Sequence, residues 1–322
     1  LLRRLKPVAC ISFLSRSNFV AIAAARLFGF KAIISERVSP SSHHRHMLGG
    51  RLARLATRLA YPRADWIVCP SAGVAHDLAR NFAARKTTVI ANPLDAAMLA
   101  ERAARPHHWQ PDKPFIVAMG RLVENKNVSL LLAALATARC DHHLVLLGDG
   151  PLRQQLEAQA AQLGLADRVH FLGFVENPFP LIATARFFVS SSDAEGFPNA
   201  LVEAMALGVP VIATNCRSGP SEILDEDETL AIDALHHGRY GLLVPPGDPA
   251  ALATAIETMA GETVQTRYRK AALQGVRRFD RASFLQRFWQ VVESEIHIST
   301  APAGNGPGTL VSGTSANLPN IP

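Results

Sequence analysis

Short apolar runs with strand character alternate along this chain with stretches of helical periodicity, and this alternation is what most constrains the fold. A strand, a helix and a further strand in succession are typical of a parallel sheet with helices on both faces. A Ser/Asn capping signal is expected to start the first helix, and Gly29 to end it. The first series predicts strands at 7–13, 31–36, 65–69 and 87–92, with helices at 17–30, 45–61 and 71–83.

A second series follows a break at Asn92-Pro93 and a polar stretch, 101–114, that contains Pro and His. Its predicted strands are 114–120, 143–149, 168–174, 185–191, 209–214 and 240–245, and its helices 127–139, 151–163, 177–183, 199–207, 219–224, 249–260 and 280–296. The 322 residues also exceed one ordinary domain. We therefore predict an α/β chain of two Rossmann-like, doubly wound domains, an incomplete one at 1–105 and a complete one at 106–298.

The two ends of the sequence carry their own expectations. The first domain has only three or four predicted strands, and the chain starts with Leu1 and not with Met. Both features favour a truncated N-terminus. The segment 299–322 is rich in Gly, Pro, Ser and Asn without a repeat, which predicts a disordered tail.

Net charge and composition restrict the classes of binding partner and the cellular location that we expect. The net charge of +6 favours phosphate, nucleic acid or an anionic membrane as a partner. Nucleic acid is disfavoured, because no basic-aromatic repeat is present and only three Trp and three Tyr are available for stacking. The four cysteines form no CxxC pair and lie in or beside apolar runs, which predicts reduced core thiols. No apolar run reaches transmembrane length and no signal peptide is evident, so a cytoplasmic protein is expected.

Two glutamates stand eight positions apart in the apolar stretch AEGFPNALVEAMALGVPVIAT, 194–214. Glu195 lies in a turn at the predicted carboxyl end of a strand, where open α/β sheets bind ligands. The next helix begins near Asn199, and its free backbone amides suit phosphate. The carboxylates of Glu195 and Glu203 would then face uncharged hydroxyls, as in a sugar or a ribose. A solvated loop acid and a helix-dipole glutamate are the alternatives for the two residues.

Two cations follow the first strand of the second series. This strand ends at Gly120, Arg121 comes next, and Lys126 starts the following helix. A guanidinium fork and an ammonium group can both bind a diphosphate, and Gly120 permits a close backbone approach. A solvated loop with two incidental cations is the alternative.

Further turns provide weaker candidates. The sequence GDGP at 148–151 joins a strand to a helix but does not complete a GxGxxG fingerprint. Backbone at Gly173 and Phe174 could flank a flat base, with ordinary turn chemistry as the alternative. Glu222, near the start of another helix, could contact hydroxyls or cap its turn.

Together these segments resemble the GT-B glycosyltransferases of the group 1, or family 4, type. The resemblance covers about residues 7–290 and rests on GRLVENKN, GDGPLRQQLE, FLGFVEN, EGFPNALVEAMALGVPVIAT, GPSEIL and YGLLVPPGD. It implies transfer of a hexose or N-acetylhexosamine from a UDP- or GDP-sugar to a glycan or lipid-linked acceptor. Retained anomeric configuration and independence of a metal or other cofactor are also implied. SERVSP and CRSGPSEIL are similar to segments of enzymes that build lipid-linked or surface polysaccharides.

The resemblance also implies a role for each motif. Arg121 and Lys126 would neutralise the donor diphosphate as it leaves. Glu195 would hold the hydroxyls of the donor sugar, and Glu203 the nucleotide ribose. The amides of 199–201 would meet phosphate and sugar, and Glu195, Arg121 and Lys126 are the catalytic candidates. The whole predicted donor site is Gly120, Arg121, Lys126, Gly173, Phe174, Glu195, Gly196, Phe197, Asn199, Ala200, Leu201 and Glu203.

Two departures from the family pattern leave alternatives open. The glycine-rich loop of the family would precede Leu1, and its first-domain histidine cannot be matched within SERVSPSSHH. A catalytically weak nucleotide-binding fragment is therefore an alternative. Another GT-B enzyme, such as a nucleotide-sugar epimerase, is a second alternative, although the EGFPNALVE context argues against it.

Three other patterns are less specific. The DED at 225–227 matches the DxD with which other glycosyltransferases hold a metal, but it lies within a polar acidic run. The histidines lack partners at metal-ligand spacing, so surface positions are favoured for His43, His44, His46, His236 and His237. The segment 49–63 is an amphipathic helix with a basic face, which is either solvated or bound to an anionic membrane. Its side chains are Arg51, Arg54 and Arg58 beside Leu52, Leu55 and Leu59.

Overall fold

The computed structural model describes residues 2–45, 49–107, 109 and 113–300. This part of the chain forms two sheets of mainly parallel strands with helices packed on them, which confirms the predicted α/β class. The first sheet has the sequential order β1-β2-β3-β4, with β1 at Ala9–Phe13, β2 at Lys31–Ser35, β3 at Trp66–Cys69 and β4 at Thr87–Val89. The helices of this half are α1 (Leu2–Leu5), α2 (Ser15–Phe28), α3 (Pro40–Arg45), α4 (Gly50–Ala60), α5 (Ala72–Phe82) and α6 (Ala96–Ala103).

The helix ends of the first half follow local signals with one exception. α2 ends at Gly29, which adopts the left-handed φ of 76°, as predicted. It begins after Leu14 without a side-chain cap, so the predicted Ser/Asn capping signal is wrong. Immediately before α2 the chain turns sharply at Leu14, whose φ is 72°. Asp95 caps α6, a helix that was not predicted because it runs into the polar break. The predicted helix 45–61 corresponds to α4, and residues 46–48 lie outside the described part.

The second sheet has seven strands in the order β10-β11-β9-β8-β5-β6-β7, and only the edge strand β10 pairs in antiparallel fashion. The strands are β5 (Phe115–Met119), β6 (His143–Leu147), β7 (Val169–Gly173), β8 (Phe188–Ser190), β9 (Val211–Thr214), β10 (His236–His237) and β11 (Leu242–Val244). The helices are α7 (Val128–Thr137), α8 (Arg153–Gln162), α9 (Phe179–Thr184), α10 (Asn199–Ala206), α11 (Pro220–Leu224), α12 (Pro249–Ala260) and α13 (Glu262–Gly275). β10 and α13 were not predicted.

The strand order of the second sheet reverses between β5 and β8. The chain runs outward from β5 to β6 and β7, then returns to β8 and continues to the other side. Alternate residues of the strands enter two apolar clusters, as with Ile116 in one and Val117 in the other. At such a reversal the connections leave on opposite faces, and a crevice opens at the carboxyl ends of the strands. The turn that follows Met119 and the loop that follows Ser190 flank this crevice.

The last helix, α14 (Arg281–Thr300), returns to the first sheet. Its Phe288 is buried in one apolar cluster with Ile33 and Val68 of β2 and β3. The division at 105/106 stays a prediction, and this packing ties the end of the chain to the first sheet. Of the predicted disordered tail, residues 301–322 lie outside the described residues.

Loops of the two sheets bond directly to each other. The Ser71 hydroxyl donates to the Gly196 carbonyl at 2.7 Å. The Glu222 carboxylate accepts from the amides of Ala72 and Gly73 at 2.7 and 3.1 Å, so it caps α5 from the other half of the chain. It also accepts from the first amide of its own turn at 3.2 Å. Of the two roles foreseen for Glu222, the structure therefore shows a cap, and one that joins the two halves.

The described helices include none that is both long and apolar enough to cross a membrane. The four cysteines are free thiols. Cys69 and Cys216 are buried, and Cys10 and Cys140 are half-buried.

Candidate active site

A cavity of about 440 Å³ lies where the strand order of the second sheet reverses. The ends of β5 and β8 form its floor, and the start of α10 forms one wall. Arg37 and Val38, which follow β2, close it from the first sheet. Ten of the twelve residues predicted for the donor site line this cavity: Gly120, Arg121, Lys126, Glu195, Gly196, Phe197, Asn199, Ala200, Leu201 and Glu203.

The other two predicted residues lie outside the cavity lining. Gly173 ends β7, and its carbonyl accepts from the amide of Gly148 at 2.7 Å. Phe174 is 84% exposed. Their contact with a nucleotide base stays a prediction.

Lys126 and Glu195 form an ion pair with 2.5 Å between Nζ and Oε1. The same carboxylate oxygen accepts from the Ser192 hydroxyl at 2.7 Å. The side chain of Glu195 is only 10% exposed and that of Lys126 is 29% exposed, so solvent screens the pair weakly. The cation assigned to the diphosphate and the acid assigned to the sugar are therefore direct neighbours, which residue spacing had not indicated.

The loop that carries Glu195 is held by the turn that carries Lys126. The Ser191 hydroxyl donates to the Lys126 carbonyl at 3.0 Å, and the Asp193 amide donates to the Asn125 carbonyl at 2.9 Å. Asn127 starts α7 as its cap and donates to both oxygens of Asp193 at 3.0 and 3.1 Å. These bonds position the ion pair, because each element would otherwise be a mobile surface loop.

The N-terminus of α10 points into the same cavity. Its capping residue, Pro198, makes no side-chain hydrogen bond to the helix. The Leu201 amide already donates to the Pro198 carbonyl at 3.1 Å. No other described group bonds the amides of Asn199 and Ala200, so these two are the donors that α10 can offer an anion.

Glu203, one turn further along α10, is half-buried in the cavity wall. Burial raises the pKa of its carboxyl above the ordinary value of 4.5, and the positive charge of Arg102 partly opposes this shift. Burial disfavours the charged form because it removes water from the carboxylate. Glu203 is therefore an acid that is protonated more readily than an exposed glutamate.

Glycines allow two backbone segments, 148–150 and 120–122, to approach each other closely beside the cavity. A Cβ on Gly148, whose φ is 131°, would lie 2.1 Å from the Gly120 carbonyl oxygen. A Cβ on Gly150 would lie 2.4 Å from the Leu122 carbonyl oxygen. The GDGP turn therefore has a packing role, because it supports the turn that carries Arg121. The Arg121 residue itself is exposed.

Sequence reasoning missed Arg37. It lines the cavity from the first sheet, directly after β2 and the buried Glu36. Its position at the carboxyl end of a parallel strand was a usable signal, because the loops of that edge face the crevice. The motif SERVSP was noted for its resemblance alone, and the charge within it was not assigned to the site.

The acidic run and the histidines have other partners in the structure. Asp225 lies 2.8 Å from His236, and Glu226 pairs with Arg278 at 2.7 Å. Within the described ranges, no three His, Cys, Asp or Glu side chains are grouped so that they could hold a metal ion. His43, His44 and His46 lie outside what can be described of side chains.

Comparison with known proteins identifies the family. The family described as Glycosyl transferases group 1 matches residues 113–262, which carry most of the cavity lining. The chain is 32% identical over 275 residues to the N-acetylgalactosamine-N,N'-diacetylbacillosaminyl-diphospho-undecaprenol 4-alpha-N-acetylgalactosaminyltransferase of Campylobacter jejuni, covering 84% of this chain and 72% of that protein. The chain belongs to the group 1 glycosyltransferases. The family match of this glycosyltransferase begins at 113, so Arg37 lies outside it.

Solved structures show the fold of this group 1 glycosyltransferase. HepE of Anabaena, crystallised with UDP, is similar with a TM-score of 0.72 and 24% identity, covering 88% of this chain and 78% of HepE. The sucrose-phosphate synthase of Thermosynechococcus elongatus is similar with a TM-score of 0.76 and 21% identity, covering 92% of this chain and 76% of the synthase. These likenesses confirm the predicted GT-B fold.

Proposed function

We propose that this glycosyltransferase moves a hexose or N-acetylhexosamine from a UDP- or GDP-sugar to a glycan or lipid-linked acceptor, with retained anomeric configuration. The observation that supports it is the single cavity that holds two cations, Arg121 and Lys126, together with two acids, Glu195 and Glu203. A nucleoside diphosphate sugar combines one dianionic group with two hydroxyl-rich rings. The charges of the cavity match those parts, because cations suit the diphosphate and carboxylates accept from diols.

Catalysis in this proposal rests on stabilising the leaving diphosphate. As the bond between the anomeric carbon and the phosphate oxygen breaks, the acceptor oxygen bonds to the same carbon, and the acceptor proton passes to the departing phosphate. In the transition state negative charge develops on the phosphate and positive charge on the sugar ring. Lys126, Arg121 and the free amides at the start of α10 stabilise the negative charge on the phosphate within the cavity. Glu195 holds the sugar hydroxyls, and its pairing with Lys126 fixes both side chains before the donor arrives. The side chains supply the charge neutralisation, so the proposal assigns no step to a metal ion.

The relatives support the substrate classes. The name of the Campylobacter enzyme states an α-linked N-acetylgalactosamine and an undecaprenol diphosphate carrier. HepE was crystallised with UDP. We therefore place UDP-N-acetylhexosamines first among the donors and polyprenyl diphosphate-linked glycans first among the acceptors.

A panel of UDP- and GDP-sugars, incubated with the protein and a polyprenyl diphosphate-linked acceptor, tests this function by mass spectrometry of the product. We expect one donor to add a single sugar residue, and NMR of the product to show an α linkage. Nucleotide binding without transfer would instead support a catalytically weak nucleotide-binding protein. Conversion of the free nucleotide sugar without acceptor would support an epimerase.

Glu203 predicts a pH dependence of donor binding. A carboxylate accepts two ribose hydroxyls, and a protonated carboxyl loses part of that capacity. Because burial raises the pKa of Glu203, protonation occurs at pH values above the ordinary 4.5. As pH falls through the raised pKa, we expect UDP binding to weaken by about tenfold. Calorimetric titration of UDP across pH should show this loss in the wild type and its absence in Glu203→Gln. Parallel profiles for the two proteins would contradict the ribose role.

We further propose that α4 contacts an anionic membrane and holds the enzyme at the cytoplasmic face. The helix exposes an apolar stripe, with Leu52, Leu55 and Leu59 at 73%, 53% and 56% exposure, beside the exposed Arg51, Arg54 and Arg58. Leucine side chains that are exposed to water cost free energy. This cost is removed when the leucines insert into an anionic bilayer and the arginines beside them contact its headgroups.

Vesicle flotation tests the membrane contact. Wild-type protein should float with phosphatidylglycerol vesicles and bind phosphatidylcholine vesicles more weakly. Serines at the three leucines of α4 should lower binding at least about tenfold, because each buried leucine contributes about 1.5–3 kcal/mol. Leu163→Ser, in the second half of the chain and 39% exposed, serves as the control. Unchanged flotation of the triple variant would exclude α4 as the contact.

A further inference from the structure

Arg37 brings a third cation to the donor cavity, from the opposite side to Arg121 and Lys126. It follows β2 in the first sheet, whereas the other two cations follow β5 in the second. Its guanidinium donates to Asn92 Oδ1 and lies 5.1 Å from the centre of the Phe13 ring. Asn92 in turn donates to Asn199 Oδ1 at 2.8 Å, at the first residue of α10. The guanidinium is therefore linked through one side chain to the helix end that offers amides to an anion.

Arg37 is half-buried and forms no salt bridge with any described carboxylate. Burial lowers the pKa of Arg37, and the charge of the adjacent Glu36 opposes this shift. A cation removed from water without an ionic partner is costly unless an anion can reach it. The cavity that Arg37 lines provides the place for such an anion.

Glu36 holds the backbone that carries Arg37. Its side chain is buried, at 1% exposure. One carboxylate oxygen accepts from the amides of Arg37 and Val38 at 3.0 and 3.4 Å, and the other accepts from the hydroxyls of Tyr61 and Ser15. With its oxygens occupied in this way, Glu36 anchors the 36–38 turn, and the Arg37 guanidinium bonds Asn92 and not Glu36.

We propose that Arg37 contacts the diphosphate of the donor and stabilises its charge as it leaves, and that Glu36 is the residue that positions it. The inference rests on the proposed function. Two cations and the helix end belong to the second sheet, and Arg37 belongs to the first. The three cations and the start of α10 then surround the diphosphate only when both halves of the molecule face each other across the donor. This arrangement gives the first half a direct part in the chemistry besides acceptor binding.

Substitution of Arg37 tests the role with the donor that transfers in the panel above. Arg37→Gln should lower kcat by about 10²–10³-fold, the range observed when one group that stabilises transition-state charge is removed. The affinity for UDP, measured by calorimetry, should fall less than about tenfold, since Lys126 and the α10 amides remain. Added methylguanidinium should restore part of the kcat of Arg37→Ala. Glu36→Gln should give a smaller loss of kcat, and Arg139→Gln, at a side chain that is 91% exposed, should behave as wild type.

Each outcome either supports or contradicts the role of Arg37. Circular dichroism and thermal melting first establish that the variants fold; Arg37→Lys, which keeps the charge, should retain more kcat than Arg37→Gln. A wild-type kcat in Arg37→Gln overturns the inference. A loss of kcat that is reduced neither by the Arg37→Lys substitution nor by added methylguanidinium also overturns it, because such a loss indicates a purely structural role. Lys126→Ala separates this failure from that of the proposed function. If it loses transfer while Arg37→Gln does not, only the role of Arg37 fails; if neither loses transfer, the donor site is wrong.

Discussion

Lys126→Ala should lower kcat/KM for transfer by about 10³-fold, equivalent to about 4 kcal/mol of transition-state stabilisation. Lys126 is the cation that pairs with Glu195 at 2.5 Å within the cavity proposed to bind the donor. Its removal takes a positive charge from the leaving phosphate and frees the carboxylate that is proposed to hold the sugar. Both effects act on the reacting bond, so we expect them to appear mainly in kcat. Steady-state kinetics with the identified donor measures the change.

The matched control for this substitution is Lys270→Ala, which removes an exposed lysine of α13. It should leave kcat/KM unchanged. The double variant Lys126→Ala/Glu195→Gln should lose less than the product of the two single losses, because the two side chains act as a pair. A Lys126→Ala enzyme within threefold of the wild type would show that the ion pair only shapes the loop.

Gly196→Ala should lower transfer by about 10²-fold or more while UDP binding persists. A Cβ at this position would lie 2.2 Å from the Arg37 carbonyl oxygen and 2.9 Å from Val38 Cα. The loop that carries Glu195 must then move away from the first half of the molecule. Even about 1 Å of misplacement at a reacting centre costs about 10²-fold in rate. The second half still offers Lys126 and the start of α10, so UDP affinity should fall much less than kcat.

Kinetics and UDP calorimetry on the same preparation separate these effects. Gly261→Ala is the control, since its Cβ would lie 3.4 Å from the nearest atom, the Thr258 carbonyl oxygen, at an ordinary φ of −70°. It should retain both activity and affinity. Normal transfer by Gly196→Ala would show that the close contact between the two halves is not needed for catalysis.

The second-sheet part of the candidate site could be predicted from sequence because it depends on local patterns. A strand that ends at Gly120 and another that ends before Glu195 place their following residues at one edge of a parallel sheet. The strand reversal then brings them together regardless of the detailed packing. The same periodicity predicted both sheets and most helices. It missed β10, α3, α6 and α13; at β10 and α6 a very short strand and a polar flank leave little pattern to read.

Contacts between the two halves were decided by the tertiary structure alone. The capping of α5 by Glu222 joins residues about 150 positions apart, and Arg37 meets the Gly196 loop across a similar span. The return of α14 to the first sheet is of the same kind. Local sequence determines which strands and helices form, because hydrophobic periodicity and turn residues act over a few positions. It does not determine how two finished sheets dock, since that depends on shape and charge matching between surfaces that are remote in the chain. For this glycosyltransferase, local sequence sets the fold class and the edge of the second sheet where the donor is proposed to bind, and only the docking of the two sheets places Arg37 and Glu36 beside that edge.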